Sequence, residues 1–343
     1  MKNIKFASTV QLLAILAILT GCQGNVSSQE QIYLGFEGIR IEFLRNTPPP
    51  RIFEESQFPV VLRVRNLGAY SIVKGTEKEK EKYALLSLGI EKDYNSFVGL
   101  EESKGRVEKT GIESQAKFNL EGRSITNQRG DEEIISYTLK TKKIEPQSER
   151  RTSTLLATLC YPYKSKVTAT VCIDTDVSGI MQKPKACSTS DVTLDGGQGA
   201  PVAITRIETR MLPAGDKIKP QFIISVENRG GGEVIKDDSI DMMCSRDIDF
   251  PDIRNQAYNT ISFKAYLSGI DEKNLLDCEP KLDEKDTMPY VKLFRRKDFV
   301  RCTVKEQNAI AKNIDAYTAP LNIEMDYGYT NTISANYIIE KLS

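Results

Sequence analysis

Two stretches of this sequence follow the same plan, and together they decide the fold. The first runs Leu155-Leu156-Ala157-Thr158-Leu159-Cys160-Tyr161-Pro162-Tyr163, then Lys164-Ser165-Lys166, then Val167-Thr168-Ala169-Thr170-Val171-Cys172-Ile173-Asp174. The second alternates Leu321, Ile323 and Met325 up to Tyr327-Gly328-Tyr329, passes Thr330-Asn331-Thr332, and alternates again through Ile333, Ala335 and Tyr337. Apolar residues at every second position on both sides of a short polar segment are typical of a hairpin with one buried face. Each stretch is therefore predicted to form a closing β-hairpin.

The two stretches also indicate an internal repeat. Tyr161 in the first corresponds to Tyr327 in the second, an offset of about 166 positions. The similarity extends further, because residues 135–140 align with residues 300–305. A repeat of this length predicts two related β domains in tandem.

Alternating segments elsewhere predict the remaining strands of both copies. They are residues 39–43, 58–68, 83–88, 117–120 and 134–140 in the first copy, and 202–207, 221–230, 261–267, 290–294 and 300–305 in the second. Short strands separated by turn signals, with no sustained helical period, predict an all-β fold of two antiparallel β-sandwich domains. The domains are expected over 32–177 and 201–343, joined by a Gly-rich polar linker over 178–200. Each is expected to fold separately.

The first residues predict an exported protein. Lys2 and Lys5 come before a mostly apolar run of about 14 residues, which Leu19-Thr20-Gly21-Cys22 closes. A membrane span needs ~20 apolar residues, so the layout is typical of a secretory signal. The four closing residues resemble the lipobox of prokaryotic lipoproteins, in which the peptide is cut before the cysteine. An ordinary signal peptide, or an uncleaved anchor with an incidental cysteine, is the alternative.

The lipobox resemblance implies a signal peptide over 1–21 and a diacylglyceryl thioether on Cys22. Two acyl chains anchor a protein stably, whereas one gives only marginal membrane binding. Residues 22–31 would then form a short tether that keeps the first domain close to the membrane surface. The expected location is the outer face of the cytoplasmic membrane, the periplasm or the cell surface.

Both copies contain an early strand that ends in Asn-x-Gly, at Asn66-Leu67-Gly68 and at Asn228-Arg229-Gly230. These segments resemble the early strands of CARDB-type and other Ig-like sandwich modules on prokaryotic surfaces. The resemblance implies two tandem Ig-like domains that act as non-catalytic modules. Each copy has about 140 residues, more than the ~100 of a plain Ig sandwich. The excess lies in polar insertions at 77–82 and 237–254.

The composition excludes several classes of function. Lys+Arg and Asp+Glu both number 47, so the chain has no charge excess that would favour a nucleic-acid partner. It contains no histidine. This removes His-based acid–base pairs, Ser-His-Asp and Cys-His systems, and every His-ligated zinc site. No cofactor is predicted, and the protein is not expected to be an enzyme.

Six cysteines follow Cys22, an even number that favours three disulfides in an exported chain. Cys160 and Cys172 are absent together from the second copy, which predicts that they are bonded to each other. Cys278 and Cys302 lack counterparts in the first copy, which predicts a second bond. By elimination, the third joins Cys187 to Cys244. A Cys-only zinc site is disfavoured because no C-x-x-C spacing occurs.

Three motifs contain aspartates that could form a binding site. Residues 174–179 begin like an EF-hand loop, but Lys185 stands where the bidentate Glu belongs, so a turn is predicted. The tripeptide Arg129-Gly130-Asp131 is one that integrins recognise, and it is also typical of a plain turn. A further cluster has no recognisable ligand spacing and predicts a solvated loop, with weak divalent binding left open: Asp237, Asp238, Asp241, Asp247, Asp249 and Asp252. No metal site is predicted.

These observations favour a lipid-anchored surface protein that acts as a binding, adhesion or structural module. Its partners would be the membrane, through the lipid on Cys22, and a protein or other component of the cell envelope. One alternative is a docking subunit of an envelope or secretion assembly. Another is an enzyme that uses Asp/Glu or Ser–Lys chemistry, which a His-free composition permits but no motif supports.

Overall fold

The computed structural model describes residues 32–73, 82–101, 106–179, 184–244, 256–269, 276–281 and 290–342. The predicted signal peptide (1–21) and the tether (22–31), including the lipidation site Cys22, lie outside the described residues. The same holds for residues 77–81 and for three aspartates of the acidic cluster, Asp247, Asp249 and Asp252.

The described chain is mostly β-structure, as the alternation predicts. In chain order, the strands are β1 Ile39–Phe43, β2 Arg51–Phe53, β3 Gln57–Asn66, β4 Ala84–Gly89, β5 Asn95–Glu101, β6 Val107–Lys109, β7 Gln115–Phe118, β8 Glu132–Thr141, β9 Arg150–Ile173, β10 Val192–Thr193, β11 Val202–Ala214, β12 Lys217–Asn228, β13 Glu233–Ile235, β14 Thr260–Leu267, β15 Asp277–Glu279, β16 Tyr290–Lys292, β17 Lys297–Thr303, β18 Ile310–Ala311 and β19 Tyr317–Glu340. A short helix, α1, covers Ile240–Cys244, and 3-10 turns cover Asp237–Ser239 and Glu306–Asn308. Every strand segment predicted from alternation overlaps one of these strands.

The strands form three sheets. A four-stranded sheet in the first copy has the order β1-β3-β8-β5. A six-stranded sheet in the second has the order β10-β11-β12-β17-β15, with β18 beside β12. The third sheet has nine strands in the order β16-β14-β19-β9-β4-β7-β6, with β13 and β2 also beside β19. Among named strands, all described pairings are antiparallel except that of β2 with β19.

Neither closing stretch folds back as a hairpin, so that prediction is wrong. Strands β9 and β19 are each continuous over 24 residues. They pair antiparallel along their whole length, from Tyr317 opposite Ile173 to Glu340 opposite Arg150. The segments predicted to be turns, 164–166 and 330–332, lie in the middle of these strands.

The physical reason lies in the alternation itself. Tyr163, Ser165 and Val167 are buried, whereas Lys164 and Lys166 point to the other face. The same odd-numbered face is thus buried before, within and after the predicted turn, which is the period of a straight strand. Neither segment contains the Asn-Gly or Asp-Gly pair that favours a two-residue hairpin turn.

The two long strands exchange their second halves between the copies. The first half of β9 pairs with β4 of its own copy, and the second half of β19 runs along its other side. The first half of β19 pairs with β14 of its own copy, and the second half of β9 runs beside it. The chain thus resembles two opened hairpins that have exchanged arms, an arrangement familiar from domain-swapped dimers.

Both smaller sheets pack on the same face of the nine-stranded sheet, in the manner of a β-sandwich. In the first copy, the ring centroids of Phe58 (β3) and Tyr337 (β19) lie 5.2 Å apart. In the second, Ser165 Oγ (β9) donates a hydrogen bond to the carbonyl of Val202 (β11) at 2.6 Å. One hydrophobic cluster contains residues of all three sheets. The Ig-like arrangement and the separate folding of 32–177 and 201–343 stay predictions.

The end of the predicted linker is built into the fold. The amide of Gly35 donates to the carbonyl of Gly196 at 2.7 Å, and the amide of Gly199 donates to the carbonyl of Gly35 at 2.9 Å. Gly197 has a φ of 74°, and a Cβ there would lie 2.3 Å from the carbonyl oxygen of Gly35. The glycine is therefore required by a close approach of two backbones.

All six described cysteines form disulfides, which join Cys160 to Cys244, Cys172 to Cys187, and Cys278 to Cys302. The last bond is as predicted, and it links residues directly opposite each other in β15 and β17. The predicted bonds Cys160–Cys172 and Cys187–Cys244 are wrong. Because β9 is straight, Cys160 and Cys172 lie roughly 40 Å apart along one strand, far beyond the reach of a disulfide.

Candidate functional site

Four tyrosines pack at the centre of the nine-stranded sheet, where the copies meet. Tyr161 and Tyr163 of β9 lie opposite Tyr329 and Tyr327 of β19, respectively. Neighbouring ring centroids are 5.6–6.4 Å apart in tilted or edge-to-face contacts, which stabilise aromatic pairs by about 0.5–1.5 kcal/mol each. Burial raises the pKa of all four hydroxyls. They therefore stay neutral and serve as hydrogen-bonding groups.

The Asn-x-Gly motif of each copy holds one of these tyrosines. The Tyr329 hydroxyl donates to Asn228 Oδ1 at 2.9 Å and accepts from the amide of Gly232 at 2.9 Å. Asn228 Nδ2 in turn donates to the carbonyl of Gly232 at 3.0 Å. The first copy repeats the arrangement over 2.8–3.4 Å with Tyr163, Asn66 and Tyr70. The motif thus connects each smaller sheet to the nine-stranded sheet by hydrogen bonds.

On the side facing away from β9, strand β19 is only partly paired. That side meets β14 at residues 321–326, β13 at 328–330 and β2 at 338–340. In the described part of the chain, no strand lies beside residues 331–337. We call this segment, Asn331-Thr332-Ile333-Ser334-Ala335-Asn336-Tyr337, the open edge.

Three residues of the open edge direct their backbone groups away from the sheet. In a strand, the N–H and C=O of one residue share a side, and the side alternates along the chain. The amide of Ile338 donates to Pro50, and the carbonyl of Glu340 accepts from Glu54, so even-numbered residues of β19 face away from β9. Thr332, Ser334 and Asn336 therefore present N–H and C=O groups that have no backbone partner among the described residues.

The repeat supplies an equivalent edge in β9, at residues 165–171. It too has no strand beside it in the described ranges, but residues that discourage pairing accompany it. Pro162 lacks an N–H, the side chain of Lys166 is 60% exposed, and the Cys172–Cys187 disulfide closes the far end. Proline, lysine and covering structure are the usual means of blocking a sheet edge. The open edge of β19 contains no proline, glycine or charged residue.

Two grooves meet at the first residue of the open edge, Asn331. One, of about 460 Å³, lies on the outer face and also reaches Thr332, Tyr258 and the disulfide-bonded Cys244. The other, of about 420 Å³, extends between the copies towards Arg229. The open edge thus begins in a concave part of the surface that offers both polar and aromatic groups.

The three described aspartates of the acidic cluster, together with Asp326 of β19, line a separate pocket of about 320 Å³. The three are Asp237, Asp238 and Asp241. Asp238 forms an ion pair with Lys236, and Asp326 forms one with Lys164. Asp241 accepts a hydrogen bond from the Tyr83 hydroxyl. Oδ1 of Asp237 is buried and has no hydrogen-bond partner in the described part of the chain. Burial, together with the charges of Asp238 and Asp326, raises the pKa of Asp237.

The loop that begins like an EF-hand contains a lysine ammonium between its carboxylates. Strand β9 ends at Ile173, and the predicted turn follows. Nζ of Lys185 donates to Oδ2 of Asp174 at 2.7 Å and to the carbonyl of Asp176 at 3.0 Å. Over the residues that the structure describes, no group of three or more Cys, Asp and Glu side chains is placed to hold a metal ion.

The Arg129-Gly130-Asp131 tripeptide lies in the turn that precedes β8. The carboxylate of Asp131 accepts hydrogen bonds from the side chain of Asn127 at 2.9 Å and from the amide of Glu121 at 3.2 Å. Gly130 adopts a φ of 69°. The carboxylate is engaged within the turn, which agrees with the prediction of a plain turn.

Two observations concern location. Within the described ranges, no helix has the length and apolar character needed to cross a membrane. The three disulfides are consistent with an extracytoplasmic protein, because disulfides persist mainly in oxidising compartments.

Comparisons with known proteins give little support for an assignment. No family model matches the chain, and no curated protein matches it. Among solved structures, it is similar to a chain of a type I cohesin–dockerin complex from Clostridium thermocellum. That match has 12% identity, covers 32% of this chain and 76% of the other, and has a TM-score of 0.22. A likeness this distant carries no argument about function.

Sequence reasoning missed both the asparagine–tyrosine pairs and the open edge. A signal for the pairs existed, because Asn66 and Asn228 end equivalent strands and Tyr163 and Tyr329 occupy equivalent places. The open edge had no comparable signal. It depends on where β13, β14 and β2 end along β19, and these are contacts between residues distant in the sequence.

Proposed function

We propose that this protein is a lipid-anchored, extracytoplasmic surface protein that acts as a non-catalytic binding or structural module. Cys22 would carry the lipid, and residues 22–31 would tether the β-structure to the membrane. The partner would be a protein or another component of the cell envelope.

The open edge of β19 is the observation that carries the binding role in this proposal. The full-length pairing of β9 with β19, together with the Cys160–Cys244 disulfide, braces the sheet to which that edge belongs. Proteins usually protect unpaired strand edges, because such an edge is a template for pairing with another chain. A braced edge without such protection therefore supports a role in binding a partner.

A docking subunit of an envelope or secretion assembly is the second candidate, since it would use the same edge. A partner that co-purifies in fixed stoichiometry from detergent-extracted membranes would favour this form of the function. The third candidate, an enzyme that uses Asp/Glu or Ser–Lys chemistry, has weaker support. Asp237 has a raised pKa, but its neighbours Asp238 and Asp326 are already paired with lysines.

The anchor is tested by comparing the wild type with Cys22→Ala. We expect the wild type to enter the detergent phase in phase-separation experiments and the variant to remain in the aqueous phase. Equal partitioning of the two would contradict lipid anchoring at Cys22.

The binding role is tested by chemical crosslinking of intact cells that carry the wild-type protein, followed by purification from detergent extracts. We expect one or a few partners to be crosslinked reproducibly, and fewer when Cys22→Ala releases the protein. A surface-accessible protein that gives no crosslinked partner would contradict the binding function.

A further inference from the structure

We propose that the open edge of β19 binds a short extended segment of a partner protein, which adds to the sheet as a strand between β13 and β2. The inference rests on the binding function proposed above and specifies how binding occurs. Thr332, Ser334 and Asn336 supply three N–H donors and three C=O acceptors on one side of the strand. A peptide in extended conformation offers the matching groups at the same spacing.

The length of the open edge determines the kind of partner. Pairing stops at Thr330, which lies opposite Glu233 of β13, and resumes at Ile338, which lies opposite Arg51 of β2. Residues 331–337 span roughly 23 Å. A strand of about six or seven residues fits between these two neighbours. A second copy of β19, with 24 residues, would collide with β13 and β2, so edge-to-edge pairing of two copies is disfavoured.

The side chains of the open edge determine the pattern of the peptide. Ile333 and Ala335 are half-buried on the face that meets the smaller sheet, and Ile333 packs against the hydrophobic core. The side chains of Thr332, Ser334 and Asn336 are exposed and lie on the opposite face of the nine-stranded sheet, away from the smaller sheets. Directly opposite residues in a sheet share a face. The partner segment should therefore alternate apolar and uncharged polar residues.

The equivalent edge of β9 serves as a comparison within the same molecule. Ser334 corresponds to Thr168 by the repeat offset, and both lie on strands without an outer neighbour in the described ranges. Only the edge of β9 is accompanied by Pro162, Lys166 and a closing disulfide. If unpaired strand edges carried no cost in this protein, we would expect neither the edge of β9 nor the edge of β19 to be protected. The asymmetry points to the edge of β19 as the one used for binding.

The first test is amide hydrogen exchange of the full mature protein without a ligand. We expect the amides of Thr332, Ser334 and Asn336 to exchange at least 100-fold faster than those of Asn331, Ile333 and Ala335, which bond to β9. Equal protection of both sets would mean that the edge is already covered, and it would overturn the proposal.

The second test uses a displayed library of random heptapeptides selected on the full mature protein. Ser334→Pro removes an outward N–H without removing a bond to β9, and Thr168→Pro does the same on the edge of β9. Strands β9 and β19 already tolerate prolines at such positions, at Pro162 and Pro320. Thermal melts of both variants check that they fold.

We expect Ser334→Pro to weaken binding of the selected peptides at least 10-fold and Thr168→Pro to change it less than 2-fold. Peptide binding should also slow exchange at Thr332, Ser334 and Asn336. Failure to select peptides, or equal effects of the two prolines, would overturn the proposal. A dimer that Ser334→Pro dissociates would assign the edge to a second copy instead. If the Ser334→Pro variant is still crosslinked to the same partner in cells, the binding function stands, but the partner does not bind at this edge.

Discussion

Pro162 lies directly opposite Gly328. On one side of this pair β9 runs through the sheet of its own copy, and on the other side it runs beside the strands of the second copy. Tyr161 and Tyr163 flank the proline as Tyr327 and Tyr329 flank the glycine. The proline is tolerated in mid-strand because its missing N–H would point to the unpaired side of β9. The glycine is required for a different reason, since Ile235 and Ile240 cover it: a Cβ at Gly328 would lie 2.6 Å and 2.8 Å from their side chains.

We expect Gly328→Ala to destabilise the protein by about 1–3 kcal/mol, because the added methyl group overpacks the contact with Ile235 and Ile240. Urea unfolding of both proteins measures the difference. Gly231→Ala is the matched control, since a Cβ there meets nothing within 4 Å. Its stability should change by less than about 0.5 kcal/mol. Similar effects of both changes would contradict close packing at Gly328.

Tyr329→Phe should destabilise the protein by about 1–3 kcal/mol. The change leaves Asn228 Oδ1 and the amide of Gly232 without their buried partner, both of which lie 2.9 Å from the hydroxyl. Tyr317→Phe is the control, because its hydroxyl makes no hydrogen bond to the described residues and the residue is only half-buried. Thermal unfolding separates the two variants. A smaller loss for Tyr329→Phe than for Tyr317→Phe would refute the role of the Asn-x-Gly motif.

A fragment that begins at Gly197 contains β19 but lacks β9, and so loses the longest strand pairing of the molecule. We expect it to dimerise through two copies of β19 that pair about Gly328, because this restores four central tyrosines. Light scattering after size exclusion gives the mass. Co-expression with residues 22–196 should replace the dimer by a one-to-one complex. A cooperatively folded monomer would instead bear out the separate folding that the sequence predicts, with residues 317–340 closing as a hairpin.

The sequence was sufficient to locate the strands, but it was not sufficient to determine which strands pair with each other. Alternation located strands such as β3 and β12, because burial on one face is a local pattern. The same alternation could not distinguish a hairpin from a straight strand, because Tyr163, Ser165 and Val167 keep one parity in both. That choice depends on pairing between residues that are 144 to 190 positions apart in the sequence.

The cysteines show the same limit. The joint absence of Cys160 and Cys172 from the second copy suggested a bond between them. Each is instead bonded to a cysteine in a segment that the repeat does not match: Cys244 in α1 and Cys187 in the junction. Cys278 and Cys302 were predicted correctly because both belong to one local pair of strands.

Removing the Cys160–Cys244 disulfide by double substitution with serine should destabilise the protein more than removing Cys172–Cys187. The bonds span 84 and 15 positions, and the chain-entropy model gives about 4.5 and about 3 kcal/mol, respectively. Urea unfolding compares the variants, and non-reducing peptide mapping checks the connectivity first. A peptide that joins Cys160 to Cys172 would contradict the straight course of β9.

Asp237→Asn should stabilise the protein at neutral pH. Burial, with the charges of Asp238 and Asp326, raises the pKa of Asp237 in the folded state. A raised pKa means that folding favours the protonated carboxyl, so its contribution to stability is complete below the unfolded pKa, near 3.9, and is lost as the pH rises through the folded pKa. At pH 7 the ionised side chain destabilises the fold, and the amide should relieve this by up to about 1 kcal/mol.

Asp238→Asn is the control of opposite sign. Burial acts to raise the pKa of Asp238, but the hydrogen bonds from Lys236 and Ser239 outweigh it and lower the pKa. Its contribution is therefore present above the unfolded pKa and is lost as the pH falls through the folded pKa. Melting temperatures from pH 3 to pH 8 should show Asp237→Asn gaining stability over wild type as the pH rises above 4, while Asp238→Asn falls below it. Parallel curves for the two variants would mean that Asp237 titrates normally and that the pocket does not destabilise its charge.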